Sequence, residues 1–169
     1  TGADPVFATA SSSLSSITNT LGAGTFAQDI SENWLRIATV TIATGDVLTM
    51  ATSPVEIVAA PGAGKFIEFI SAQLILDYNS VPYTESGDNM AFRYTDGSGV
   101  IVSQTIESTG FIDQSADTIT CAQAKIDAIV AATGAVNQAL VLDNTGTDFA
   151  AGNSALIVKV AYRIITTGL

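Results

Sequence analysis

From Trp34 onward the chain is cut into short runs of alternating apolar and polar residues, each closed by a cluster of Gly, Pro, Asn or Asp. That punctuation constrains the fold more than any other feature, because period-two runs of this length suit half-buried strands. Residues 35–42 alternate and are rich in β-branched side chains, with Thr44-Gly45-Asp46 as the stop. Residues 54–59 form a second run closed by Pro61-Gly62-Ala63-Gly64. Residues 65–77 satisfy helical spacing through Phe66, Phe69, Ile70 and Leu74, yet Phe66, Ile70, Ala72, Leu74 and Leu76 also share one face of a strand. The preceding Pro-Gly turn and the Ile and aromatic content favour a long strand.

Residues 89–94, 100–106, 117–121, 138–142 and 155–165 complete the series, with Asp96-Gly97-Ser98-Gly99 as a hairpin signal between the first two. The Ala-rich stretch 121–132 is the best helix candidate, with Ile126, Ile129 and Val130 on one face and Gly134 as its stop. The expected fold is therefore mainly β, an antiparallel β-sandwich or jelly-roll-like domain over residues 34–169, with at most one short helix. Residues 1–33 are expected to be an extended arm. Residues 5–28 carry no charge and are dominated by Ser, Thr, Ala and Gly, with Phe7, Leu14, Ile17, Leu21 and Phe26 as candidate anchors into neighbours.

Charge and composition narrow the function. The formal net charge is -10, with six basic residues and no histidine. Without a basic stripe to displace phosphate counterions, nucleic-acid binding is not expected. The longest apolar-leaning uncharged stretch, residues 128–142, falls short of the ~18–20 residues of a membrane span, and no membrane partner is expected. Cys121 is the only cysteine, so no intrachain disulfide forms; it is expected to be a small buried hydrophobe. The 169 residues suffice for a core without disulfide or metal.

Motifs that superficially suggest chemistry fail on spacing. Gly62-Ala63-Gly64-Lys65 lacks the first glycine of a phosphate loop, and Phe66 stands where Ser or Thr should be. The 143–148 loop, Asp143 to Asp148, departs from calcium-loop spacing and has the make-up of an Asx turn. Glu85 and Asp88 lie near each other in a turn, which alone does not make a cation site. With no His-based triad and no Cys/His cluster, the chain is expected not to be an enzyme, and no catalytic, cofactor or metal residues are assigned. Trp34 is expected to be a core or interface anchor, and Tyr78 and Tyr83 to be structural or, if exposed, contact residues.

Residues 53–165 resemble small proteins encoded near the major capsid gene of tailed bacteriophages. The resemblance is carried by Pro54-Val55-Glu56-Ile57-Val58-Ala59-Ala60-Pro61-Gly62-Ala63-Gly64-Lys65, Leu76-Asp77-Tyr78, Phe92-Arg93-Tyr94, Gly110-Phe111-Ile112-Asp113-Gln114-Ser115-Ala116-Asp117, Ala139-Leu140-Val141-Leu142-Asp143-Asn144-Thr145-Gly146 and Val158-Lys159-Val160-Ala161-Tyr162-Arg163. It implies a capsid decoration (cement) protein on the outer surface of a virion, made in the host cytoplasm. Its implied partners are the major capsid protein and copies of itself in a trimer. The N-terminal third and residues 121–132 depart from the pattern. The competing expectation is a receptor- or glycan-binding module of a phage fibre or tail tip, which exposed aromatic residues near Tyr78 and Tyr83 would favour.

Overall fold

The computed structural model describes residues 17–21, 24–28, 34–85, 88–126 and 130–169. The chain forms two units, Thr1–Glu32 and Asn33–Leu169. In the first, β1 (Ile17–Leu21) pairs antiparallel with β2 (Gly24–Gln28), from Ile17 opposite Gln28 to Leu21 opposite Gly24. This hairpin lies within residues 1–33, the run expected to be an extended arm, most of which lies outside the described residues.

The second unit is built from β3 (Arg36–Ile42), α1 (Thr44–Leu48), β4 (Val55–Val58), β5 (Lys65–Asp77), β6 (Tyr83–Thr84), β7 (Asn89–Tyr94), β8 (Ile106–Glu107), β9 (Thr118–Gln123), a 3-10 turn (Ala132–Gly134), β10 (Leu140–Asn144), β11 (Ala150–Ala151) and β12 (Ala155–Thr166). Every pairing among them is antiparallel. One sheet has the order β3-β12-β5-β9, the other β4-β10-β7-β8, and β6 and β11 form a short separate ladder. The two larger sheets make a β-sandwich. Ile42, Leu74, Leu76, Leu156, Val158 and Val160 of the first sheet share one core with Ile57, Met90, Phe92, Leu140 and Leu142 of the second. Phe69 of β5 stacks on Phe92 of β7 with ring centroids 4.9 Å apart. Each such side chain, fully buried, is worth about 1.5–3 kcal/mol.

Two expectations are corrected here. The helix expected over residues 121–132 begins instead as strand: Cys121 and Ala122 lie in β9, opposite Gln73 and Ala72 of β5. Pairing with a long central strand outweighs a modest alanine preference for helix; residues 127–129 lie outside the described residues. The short helix is α1, one turn at the Thr44-Gly45-Asp46 stop, which tucks Val47 into the interior. The face expected for β5 also holds for only part of its length. Ser71 lies opposite Ala161 and Phe69 opposite Tyr162, so Ile70 is an extra residue in a β-bulge. Past it the buried side switches parity, from Ala72, Leu74 and Leu76 to Phe69 and Ile67, and Phe66 and Ile70 are only partly buried.

Candidate interaction face

Alternation along the strands decides which side chains leave the core. On the β3-β12-β5-β9 sheet, register places the outward residues in three rows. The first is Thr41, Ile157, Ile75 and Ile119; the second Thr39, Lys159, Gln73 and Cys121; the third Ile37, Ala161, Ser71 and Gln123. Only Lys159 among these positions is charged, in a chain with 16 acidic and six basic residues. Ile37 is 62% exposed and Ile119 65%. At ~4.8 Å between strands and ~3.4 Å per residue, the three rows span roughly 400 Å². A surface of this size is in the range of the functional patches on monomers, and about half of one partner's share of a standard interface.

Cys121 lies on this face and is exposed, which corrects the expectation of a buried thiol. Its neighbour Ala122 takes the inward position on β9. Trp34, at the approach to β3, is 60% exposed and is not part of the core. Both placements follow from strand parity and chain position.

The outward side of the other sheet is closed. β10 is buried along its whole length, including Val141 and Asp143 on the side away from the core. Arg93 of β7 lies opposite Val141 and reaches diagonally to Asp143, with Nε 2.6 Å from Oδ2. Its Nη1 donates to the carbonyl of Gly97 at 2.8 Å, which draws the 95–99 turn over the pair. A Cβ on Gly97 would stand 3.4 Å from Pro54 Cγ and 3.5 Å from Asp143 Oδ1, so the cover is close-packed. Burial pushes the Asp143 carboxyl above its ordinary range, and the attraction of Arg93 only partly offsets this.

The remaining polar residues singled out in the sequence hold loops together. Asp148 accepts hydrogen bonds from the amides of Ala51 and Thr52, both at 2.9 Å, and from the Thr52 hydroxyl. The amide of Thr52 is the main cause holding its carboxyl below the ordinary range. Asp88 accepts from the amide and hydroxyl of Thr147, and Glu85 from the hydroxyl of Thr109. Among the described residues no three His, Cys, Asp or Glu side chains gather as a metal site. Gly62 and Gly64, at φ of 100° and 69°, form the turn into β5, and Asn137 Oδ1 accepts the Gly62 amide.

Tyr83 is 2% exposed and donates to the Ser154 carbonyl, while Tyr78 is half-buried, so this loop presents no exposed aromatic pair. A largely apolar cavity of about 440 Å³ lies against Phe66, Phe69, Tyr94, Val102, Ala135 and Val136. The Tyr94 hydroxyl is committed to the Ile67 carbonyl, and burial pushes its pKa up to about 12. No described helix is long and apolar enough to cross a membrane. The outward rows of the first sheet were missed in the sequence, although those on β5 and β12 are each one step out of phase with a core residue.

No protein-family model matches the chain, and no curated protein does. Among solved structures, the chain is similar to a chain of the cyanophage Pam1 capsid asymmetric unit. The identity is 14% and the TM-score 0.47, over 92% of this chain and 98% of that one.

Proposed function

We propose that the chain is a structural virion protein that decorates and stabilises a phage capsid by binding across neighbouring major capsid subunits as a trimer. The observation that carries this reading is the outward face of the β3-β12-β5-β9 sheet: three outward rows with one charge, on a chain with a net charge of -10. The sequence resemblance to capsid decoration proteins supports it. A face of roughly 400 Å² is too small to hold a stable complex by itself. Repeated over a symmetric shell and joined through a trimer, the same contact gains affinity by avidity.

The test is co-sedimentation of the purified chain with capsids of its phage prepared without it. Saturable binding at a fixed ratio to the major capsid protein is expected, together with a raised temperature of capsid disruption. Ile119→Lys, on the exposed face, is expected to weaken binding about tenfold, matching the ~1.4 kcal/mol per decade of affinity and the loss of one buried Ile. Capsids that bind none of the chain, or bind it without added stability, would overturn the proposal.

A further inference from the structure

Each sheet of the sandwich ends in two edge strands, and among the described residues these edges differ in how they are closed. β4 is four residues long, carries Glu56, and is flanked by Pro54 and Pro61. β8 is two residues long. β9 has its C-terminal end tied down: the Gln104 amide donates to the Gln123 carbonyl at 2.8 Å, and Ser103 bridges to Ala124. β3 has none of these devices. It pairs with β12 over seven residues without a bulge, contains no proline, and its only charge is Arg36 at its first position. Long, flat, uncharged edges pair with further strands unless something prevents it.

We propose that β3 is a pairing edge for β3 of a second copy of this chain, antiparallel about a two-fold axis through Thr39. The strand is self-complementary in that register. Thr39 faces Thr39, Ile37 faces Thr41, Ala38 faces Val40 and Arg36 faces Ile42, so no like charges stand opposite each other. The nearest like pair on the outward face is Lys159 with its counterpart. Lys159 lies opposite Thr39, so three strand spacings, roughly 14 Å, separate the two ammonium-bearing strands. That exceeds the Debye length of about 8 Å at physiological salt. The absence of acidic residues from the strand matters for a chain with net charge -10, whose copies otherwise repel. Pairing would join two four-stranded sheets into one of eight and make their outward faces continuous. Trp34 and Leu35, each 60% exposed, continue this edge beyond Arg36, beside Ala43 and Thr44 of the second copy. This contact is separate from the proposed three-fold one. It deepens the capsid reading by linking neighbouring decoration units, yet stands without it.

The experiment is site-specific cross-linking. Thr39→Cys and Thr41→Cys are each made in a Cys121→Ser background, which removes the native exposed thiol. Both positions are exposed, so both variants should keep the wild-type urea midpoint. Oxidised glutathione accepts the two electrons of disulfide formation. Directly opposed Cα atoms in an antiparallel pair are ~4.5–5.5 Å apart, within the range of a disulfide. Two copies of residue 41 would be offset by four residues, more than ~13 Å along the strand, beyond it. The expected result is a disulfide dimer at position 39, at least about tenfold more abundant than at position 41. Equal yields at the two positions, or none at either, would overturn the pairing. That includes the case in which the Thr1–Glu32 unit or a different strand occupies the edge. Capsid co-sedimentation of the wild-type chain separates the two proposals: binding by the wild type without cross-linking of the variants sinks only this one, and cross-linking without wild-type binding sinks only the other.

Discussion

The two outward faces of the sandwich are built by the same alternation and end in opposite states. Over β10 and β7, the 95–99 turn closes on a buried Arg93–Asp143 pair, and Val141 and Asp143 lose their access to water. Over β5 and β12, no described residue of the second unit folds back, and Ile119 is exposed with Ile75 and Ile157 partly so. The difference shows where this chain has spent its few charges. A cation and an anion seal one face internally, while the outward rows of the other carry a single lysine.

The strongest way to break that contrast is to remove the cation under the cover. Arg93→Met leaves Asp143, 2% exposed, as an unpaired buried carboxylate. A loss of about 3–5 kcal/mol in urea unfolding is expected. The double variant Arg93→Met/Asp143→Leu should recover most of it, since an apolar replacement of both partners carries no uncompensated charge. A single-variant loss below ~1 kcal/mol would mean the cover does not depend on the pair.

Next in size is the turn itself. A Cβ on Gly99 would stand 1.6 Å from the Tyr94 carbonyl oxygen, a backbone atom that cannot swing aside. Gly99→Ala should cost about 1–3 kcal/mol, and amide exchange should quicken at Arg93 and Val141 as the cover loosens. Unchanged exchange there would show the face to be sealed by something other than the turn.

A smaller effect sharpens the electrostatic half of the comparison. Because burial raises the Asp143 pKa above 3.8, the native state holds a proton that the unfolded chain has released, over the window just above that value. Stability from this group is fully present below 3.8 and is lost as pH rises through the raised native pKa. Asp96 and Asp148 shift downward and act with the opposite sign, so the comparison is with Asp143→Asn. The wild-type advantage over that variant should shrink as pH rises above 3.8, and a pH-independent difference would contradict the assignment. The smallest expected change belongs to the open face. Ile119→Lys should alter stability by no more than about 0.5 kcal/mol, whatever it does to capsid binding.

Much of this architecture was legible in the residues. The 65–77 run, the strands at residues 36–42 and 155–166 and the turn glycines were marked by alternation or by Gly and Pro. The Ile70 bulge was not, because a strand of mixed Phe, Ile and Leu offers an apolar side chain at either parity. The strand at Thr118–Gln123 was read too short and its end taken for helix, since local alanine content says nothing of the β5 partner some 45–50 residues away. The candidate face was half-visible: its residues alternate with core positions, but which sheet would be left uncovered depends on Arg93 meeting Asp143, a contact set only by the β7–β10 register. The loop carboxylates Asp88 and Asp148 were correctly read as turn residues, and their partners lie too far along the chain for spacing to reveal.

The extra residue at Ile70 also determines how the longest strand can change length. It works like a frame shift in the side-chain code: residues 72–76 are read in one frame and 65–69 in the other, and β12 opposite keeps a single frame throughout. Deleting Ile70 would close the bulge and leave the pairing on both sides as it is, Ser71 opposite Ala161 and Phe69 opposite Tyr162, with Ile67 and Phe69 still inward. A residue gained elsewhere in β5 has no such outlet and would put the residues beyond it out of phase with β12. Length variation within β5 is therefore confined to the bulge, and elsewhere the strand can drift in composition but not gain a residue.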